Sequence, residues 1–350
     1  MKTHVVRSFG LAFAMASSIA MAQSSVSLYG SLDIGAQYLT HADTKGDSSV
    51  GLQSGNAIPS YFGIKGSEDL GGGYAAVFRL ESGITMNNGG LTDPSSLFSR
   101  YAYVGLQSPY GTVEVGRQFG IMFDETLFYD PTYLAQYSVM STGLIALANL
   151  NPNNGIKYIS PNLDGFEATA MYGFGEQIAG NFRAGTYIGA GVSYKGATFH
   201  LRGVFEQTRG SLDTTTGIDT SGLEDTRASI AATWNISATT LFLGFANVSG
   251  DLELSPPGNI YWAGVTYQIS SSWSVLAEFM RYDTHGGMQG RPNWYVLGST
   301  YSLSPRTSLY AYAGVLDNHG GKDFTLNTYD FTSSGGVSQT GVQLGITHQF

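Results

Sequence analysis

From Val26 to Tyr38 the chain alternates in character at every second residue. Val26, Leu28, Leu32, Ile34, Ala36 and Tyr38 fall on one side, and Ser27, Ser31, Asp33 and Gln37 on the other. A period of two places these sets on opposite faces of a strand. The pattern returns near residues 61–69, 74–82, 100–107, 112–119, 155–160, 166–174, 187–195, 197–208, 226–235, 239–248, 260–269, 273–283, 294–303, 307–316 and 339–350, giving sixteen segments in all. Most are close to the ~9–11 residues that a tilted strand needs to cross a bilayer. Their connections alternate in length. Short ones are Leu70 to Gly73, Ser108 to Gly111, Pro161 to Gly165, Lys195-Gly196, Ile236 to Ala238, Ser270 to Ser272 and Ser304 to Arg306, built around Gly, Pro, Asn, Asp or Ser. Long ones lie near 39–60, 83–99, 120–154, 175–186, 209–225, 249–259, 284–293 and 317–338. All long loops therefore emerge at one end. Soluble sandwiches have no reason to sort loops this way, whereas a transmembrane barrel keeps short turns on the periplasmic side and long loops outside.

Composition removes the competing architectures. Charged residues are 12% of the chain, about half the ~25% of ordinary domains. Yet no apolar run after the first 22 residues approaches the ~20 that a membrane helix requires. The chain has no cysteine, which excludes disulfides and thiol-based metal or redox sites. A net charge of −9 argues against a nucleic-acid partner. Residues 1–22 carry Lys2 and Arg7, an apolar stretch from Phe9 to Ile19, and Ala20-Met21-Ala22, the order of a secretory signal peptide with its cleavage site; a buried N-terminal helix is the alternative. Residues 23–350 then form a single barrel domain, and loss of the two basic residues takes the net charge from −9 to −11.

The expected fold is all-β, a sixteen-stranded antiparallel transmembrane barrel. A sheet crosses lipid only when closed, because every backbone group must be paired there. Its apolar face looks outward and its polar face lines a lumen. Tyr29, Tyr38, Tyr101, Phe119, Tyr172, Phe174, Tyr194, Trp234, Tyr267, Trp273, Tyr301 and Phe350 lie near segment ends, as aromatic girdles at the two interfaces do. Alternation sends Tyr61, Lys65, Arg79, Glu81, Glu114, Lys157, Arg202 and Glu206 inward. Arg117 and Arg100 conflict with it, since they fall in line with Val113 and Val115, and with Ala102 and Val104, respectively. A charged residue on the lipid face costs ~2–4 kcal/mol at the midplane, so either a bulge at Gly116 turns Arg117 inward or it lies at the outer interface.

The loop from Gly120 to Asn154 far exceeds the ~12–15 residues beyond which structureless loops are uncommon. Ile121, Met122, Phe123, Leu127, Phe128, Tyr129, Tyr133, Leu134, Tyr137, Val139, Met140, Leu144 and Ile145 give it apolar surface to pack with. In a wide barrel the available surface is the inner wall. Asp124, Glu125 and Asp130 would then face cations across the pore; an ordinary surface flap is the alternative. No chemistry is legible. The six histidines are scattered without metal-ligand spacing, no G-x-S-x-G elbow is present, and Gly71-Gly72-Gly73 joins two strands as a tight turn rather than opening a helix. No cofactor or metal is expected.

Asn154-Gly-Ile-Lys-Tyr-Ile-Ser-Pro-Asn-Leu-Asp-Gly-Phe166, Ser25-Val-Ser-Leu-Tyr-Gly30, Gly63 to Gly73, Phe78-Arg-Leu-Glu-Ser-Gly83, Ser99-Arg-Tyr-Ala-Tyr-Val-Gly-Leu106, Gly111 to Gln118 and Leu303 to Tyr310 together resemble the framework of the Gram-negative trimeric porin family of β-proteobacteria, which includes the neisserial porins. The resemblance implies a homotrimeric general-diffusion pore in outer-membrane lipid, with the third outer loop folded into the lumen. It also places Glu81 and Arg100 at the narrow zone. The match is incomplete there. The slot before Phe62-Gly63, often Arg in the family, is Tyr61; Asn151 to Gly155 lacks a common Arg; and Thr347 stands where Arg is frequent. Phe350 resembles the C-terminal aromatic that the barrel assembly machinery reads.

The leading expectation is a passive, water-filled channel. A solute-specific uptake channel, an outer-membrane enzyme and a secreted β-rich binding protein are the rivals. With three family cations missing and Glu81, Glu114 and the loop carboxylates present, the residues alone predict weak selectivity leaning toward cations.

Overall fold

Period two becomes sheet throughout. The computed structural model describes residues 25–133, 135–138, 149–286, 290–318, 324–327 and 336–350. The signal-peptide reading of 1–22 lies outside the described residues, as do Leu134, Val139, Met140, Leu144 and Ile145. The strands are β1 (Ser25–Leu39), β2 (Ser49–Ser54), β3 (Tyr61–Gly71), β4 (Tyr74–Gly83), β5 (Tyr101–Ser108) and β6 (Gly111–Arg117). Then come β7 (Gly155–Ile159), β8 (Phe166–Gly173), β9 (Tyr187–Lys195), β10 (Phe199–Arg209), β11 (Glu224–Ile236) and β12 (Thr239–Gly250). The last are β13 (Gly258–Ser270), β14 (Trp273–Thr284), β15 (Asn293–Ser304), β16 (Thr307–Asp317) and β17 (Gln339–Gln349). Each of the sixteen alternating segments is a strand, paired antiparallel with its neighbours.

The sheet closes through β1 and β17, from Ser31 opposite Gln349 to Leu39 opposite Gly341. Closure leaves no free edge, which in lipid is a condition of existence. Phe350 completes the seam. Its amide donates to the Gly30 carbonyl and its carbonyl accepts from the Gly30 amide, both at 3.1 Å. A Cβ at residue 30 would lie 2.6 Å from the Phe350 ring and from the Tyr61 carbonyl, so the approach of β3 and the C-terminus requires glycine. The sequence did not reveal β2. It pairs with the upper half of β1, Ile34 to Leu39, while β3 takes the lower half, Ser25 to Ser31. The two together fill one strand position beside β1.

Burial follows the expected inversion. On β1, Ser31, Asp33 and Gln37 are buried while Val26, Leu28 and Tyr38 are exposed. Tyr172, Tyr194, Trp234, Tyr267, Trp273 and Tyr301 are also exposed on the outer face, where lipid and headgroups solvate them. Tyr29, Tyr101 and Phe119 differ from the girdle expectation. Tyr29 has the parity of Ser31 and Asp33, and Tyr101 and Phe119 are buried, so all three belong to the lumen side. At Gly71, Gly72 and Gly73, φ is +81°, +64° and +82°, a turn that only glycine makes without strain.

The long loop opens with α1 (Ile121–Thr126) and a single 3-10 turn, Leu127–Tyr129. It meets the polar face of strands on several sides of the barrel. The Ile121 amide donates to Tyr187 Oη on β9 (2.7 Å) and the Met122 amide to Glu206 on β10 (3.1 Å). Trp262 Nε1 on β13 donates to the Tyr129 carbonyl (2.9 Å), and Tyr137 Oη to Gln37 on β1 (3.1 Å). Glycine makes room for it: a Cβ at Gly264 would meet the Pro131 ring at 2.2 Å, and one at Gly341 the Tyr137 hydroxyl at 2.3 Å. Residues 324–327 of the last loop are buried against the same segment. Asn327 Nδ2 donates to Gln136 (2.8 Å) and Gln37 (3.2 Å).

Candidate functional site

Register builds the charged wall. Opposite one another across β3, β4 and β5 stand Lys65 and Arg79, then Arg79 and Tyr103, with Glu81 opposite both Gly63 and Tyr101. Across β6 and β7, Glu114 faces Lys157. All point to the polar face, as alternation requires. Glu81 is the centre of the wall, with no exposure at all. Its Oε2 takes Arg79 Nη2 and the Tyr29 hydroxyl, each at 2.6 Å, and its Oε1 takes Arg100 Nε at 2.6 Å. A buried carboxylate is tolerated only when its charge and lone pairs are met this completely. Aromatic faces hold the cations in turn. Lys65 lies 4.9 Å from the Tyr29 centroid, Arg79 3.8 Å from that of Tyr101, and Arg100 4.7 Å from Tyr61 and 4.9 Å from Phe119. Each such contact contributes about 0.5–2 kcal/mol according to its exposure.

Arg100 resolves its conflict by lying outside the strand. β5 begins at Tyr101, so Arg100 is not bound by the alternation of Ala102 and Val104; its amide donates to the Glu81 carbonyl (3.1 Å) and its guanidinium turns to the same residue. Arg117 keeps its register opposite Ala102 without a shift, so no bulge forms. It sits at the last position of β6, after Gly116 at φ +138°. Its Nε donates to the Ser99 carbonyl (2.7 Å) and its Nη1 to Asn153 (2.5 Å). Both arginines line a cavity of about 440 Å³ at the long-loop end, together with Asp93, Phe123 and Asn151. The Ser95 hydroxyl and amide hold the Asp93 carboxyl below the ordinary carboxylate range.

The loop carboxylates divide. Asp124 meets the wall, accepting from Lys157 Nζ and, at 3.0 Å, from the Tyr101 hydroxyl. Asp130 is fully buried and accepts from the Thr132 amide and hydroxyl, both at 2.9 Å, so it shapes the loop's turn. The side chain of Glu125 lies outside the described residues. Tyr29, Tyr101, Tyr103 and Phe119 were missed as wall residues, although the parity of Tyr29, Tyr101 and Tyr103 was readable. On the far side the loop covers charge: Glu206, Arg202 and Arg227 are buried beneath or beside it, and Arg227 pairs with Asp225 at 2.6 Å. Among the described residues no group of three or more His, Cys, Asp or Glu is placed to hold a metal.

Comparison with known proteins agrees with the barrel fold. The family model described as Gram-negative porin matches residues 10–321. Outer membrane porin protein 32 of Delftia acidovorans is 30% identical, over 97% of this chain and 98% of its own. Major outer membrane protein P.IA of Neisseria meningitidis serogroup C is 28% identical over 43% of this chain and 42% of its own. Among solved structures, the anion-selective porin from Comamonas acidovorans superposes with a TM-score of 0.80 at 28% identity, covering 94% of this chain and all of that one.

Proposed function

The chain belongs to the Gram-negative porin family and is an outer-membrane channel for passive diffusion of ions and small hydrophilic solutes, and from that premise we propose that its narrow zone lies between the Glu81-centred wall and the segment 121–133, with a weak preference for anions. Tyr61, Lys65, Arg79, Glu81, Arg100, Glu114, Arg117 and Lys157 supply the wall, and Asp124 the loop's charge. One observation carries the selectivity: in the Glu81-centred cluster the cations show and the carboxylate does not. Lys65 is exposed, and Arg79 and Arg100 keep 29% and 18% of their side-chain surface, whereas Glu81 keeps none. Glu114 is half-buried, and Asp124, which keeps 28% of its side-chain surface, is paired with Lys157. A passing ion is screened by width and by exposed charge, and the cluster of Lys65, Arg79, Glu81 and Arg100 is net positive. The weighting drawn from the sequence, a cation lean, counted Glu81 as though it faced the water. The similarity to a porin described as anion-selective supports the revised sign. Reversal potentials across a KCl gradient test it: anion preference is expected in the unmodified protein and its loss in Arg100→Gln, while cation preference in the unmodified protein would overturn it.

The same reading extends to assembly. Three copies associate in the outer membrane, residues 1–22 are removed on export, and the C-terminal Phe350 is the assembly machinery's handle. The channel carries out no catalytic step; the relatives it matches are porins.

A further inference from the structure

A second cavity, of about 420 Å³, lies on the short-turn side of the loop, between its underside and the lumen faces of β8 to β12. Phe128 and Tyr133 line it from above and Glu167, Lys195, His200 and Arg202 from the wall. The two aromatics are the anomaly. Large apolar side chains exposed on the outer face are solvated by lipid, but Phe128 at 62% and Tyr133 at 51% are exposed where neither lipid nor a neighbouring subunit reaches. Tyr133 is held there with φ at +55°, a conformation that a bulky residue adopts at a cost. Its neighbours in the loop, Ile121, Met122 and Tyr129, are by contrast buried. Below, Lys195 stands directly opposite His200, and Ser193 opposite both Glu167 and Arg202. The wall thus presents one exposed lysine, with a half-buried carboxylate beside it, beneath two open rings.

We propose that this cavity is a binding step for aromatic monocarboxylates, the ring resting on Phe128 and Tyr133 and the carboxylate on the Lys195 side of the wall. Rings that pack offset or edge-on gain beyond the area they cover, and a carboxylate adds a charge-assisted hydrogen bond to a lysine. The cavity lies apart from the Arg79–Glu81–Arg100 cluster, so a solute would meet the two in series.

Block of KCl current through the purified protein in planar bilayers tests this, with benzoate, benzamide and acetate as probes. Benzoate should reduce the current at concentrations where benzamide and acetate do not. Phe128→Ala should raise its half-blocking concentration by about three- to tenfold, the worth of one aromatic contact, and bring benzoate toward acetate. Lys195→Gln, at an exposed position, should bring benzoate toward benzamide. Benzoate that blocks no better than acetate, or equally well in both variants, would overturn the proposal. So would a neutral hexose that blocks as well as benzoate. Each result leaves open-channel conductance and reversal potential intact as the separate test of the narrow zone.

Discussion

Glu81 shows why residue identity misleads where residue environment decides. Its inward direction and its charged neighbours were legible from alternation, but its enclosure by Arg79, Arg100 and Tyr29 depends on Arg100 leaving the strand, which parity argued against. Asp130 adds to it: alternation says nothing about a loop carboxylate, and this one is fully buried with Thr132 bonded to it. Tyr61 gives a test at this scale. It lies at the end of β3 against Arg100, so Tyr61→Arg should add an exposed cation and raise anion preference by a factor of about two to three at low salt, the effect of one charge at ~7 Å in water. The gain should shrink as salt shortens the screening length. An unchanged permeability ratio at every salt concentration would remove Tyr61 from the narrow zone. Glu81→Gln separates pore charge from folding. Uncovering two guanidiniums should strengthen anion preference, and losing the charge that anchors them should cost about 1–3 kcal/mol of stability, measurable as a lower urea midpoint.

Among the elements, the sixteen expected strands were legible because two-sided burial against lipid and water writes itself at every second residue. β2 was not, because its six residues, though Val50 and Leu52 alternate with Gly51 and Gln53, lie inside the span of a long loop and are held by pairing with β1. The short helix α1 was hidden for the same reason, since its first amides are met by Tyr187 and Glu206 from distant strands. Loop seating is therefore a property of the wall as much as of the loop. Gly264→Val would drive a side chain into Pro131 without altering any residue of the loop. It should unseat the segment and give larger, noisier single-channel steps; steps identical to those of the parent would show that the loop does not narrow the pore. The seam makes a second prediction. Deleting Phe350 removes both backbone hydrogen bonds to Gly30, and the yield of folded protein in the outer membrane should fall, as a quantitative blot of membrane fractions would show.

For the whole molecule, closure through β1 and β17 leaves every strand paired and an apolar outer face that only lipid or detergent can cover. The protein should extract with detergent and run in unheated SDS gels as a folded, trimeric band that collapses on boiling. Recovery as a monomeric band without heating would contradict the trimer. The sequence made the barrel readable through its sorted loops, yet left the interior underdetermined, because what fills the lumen is set by contacts between residues far apart in the chain. Single-channel recording in planar bilayers can compare the intact protein with one lacking residues 124–137. A water-filled pore narrowed by that segment predicts ohmic steps that grow with KCl concentration and are larger in the shortened protein. Equal steps in the two, or none from the folded intact protein, would contradict it.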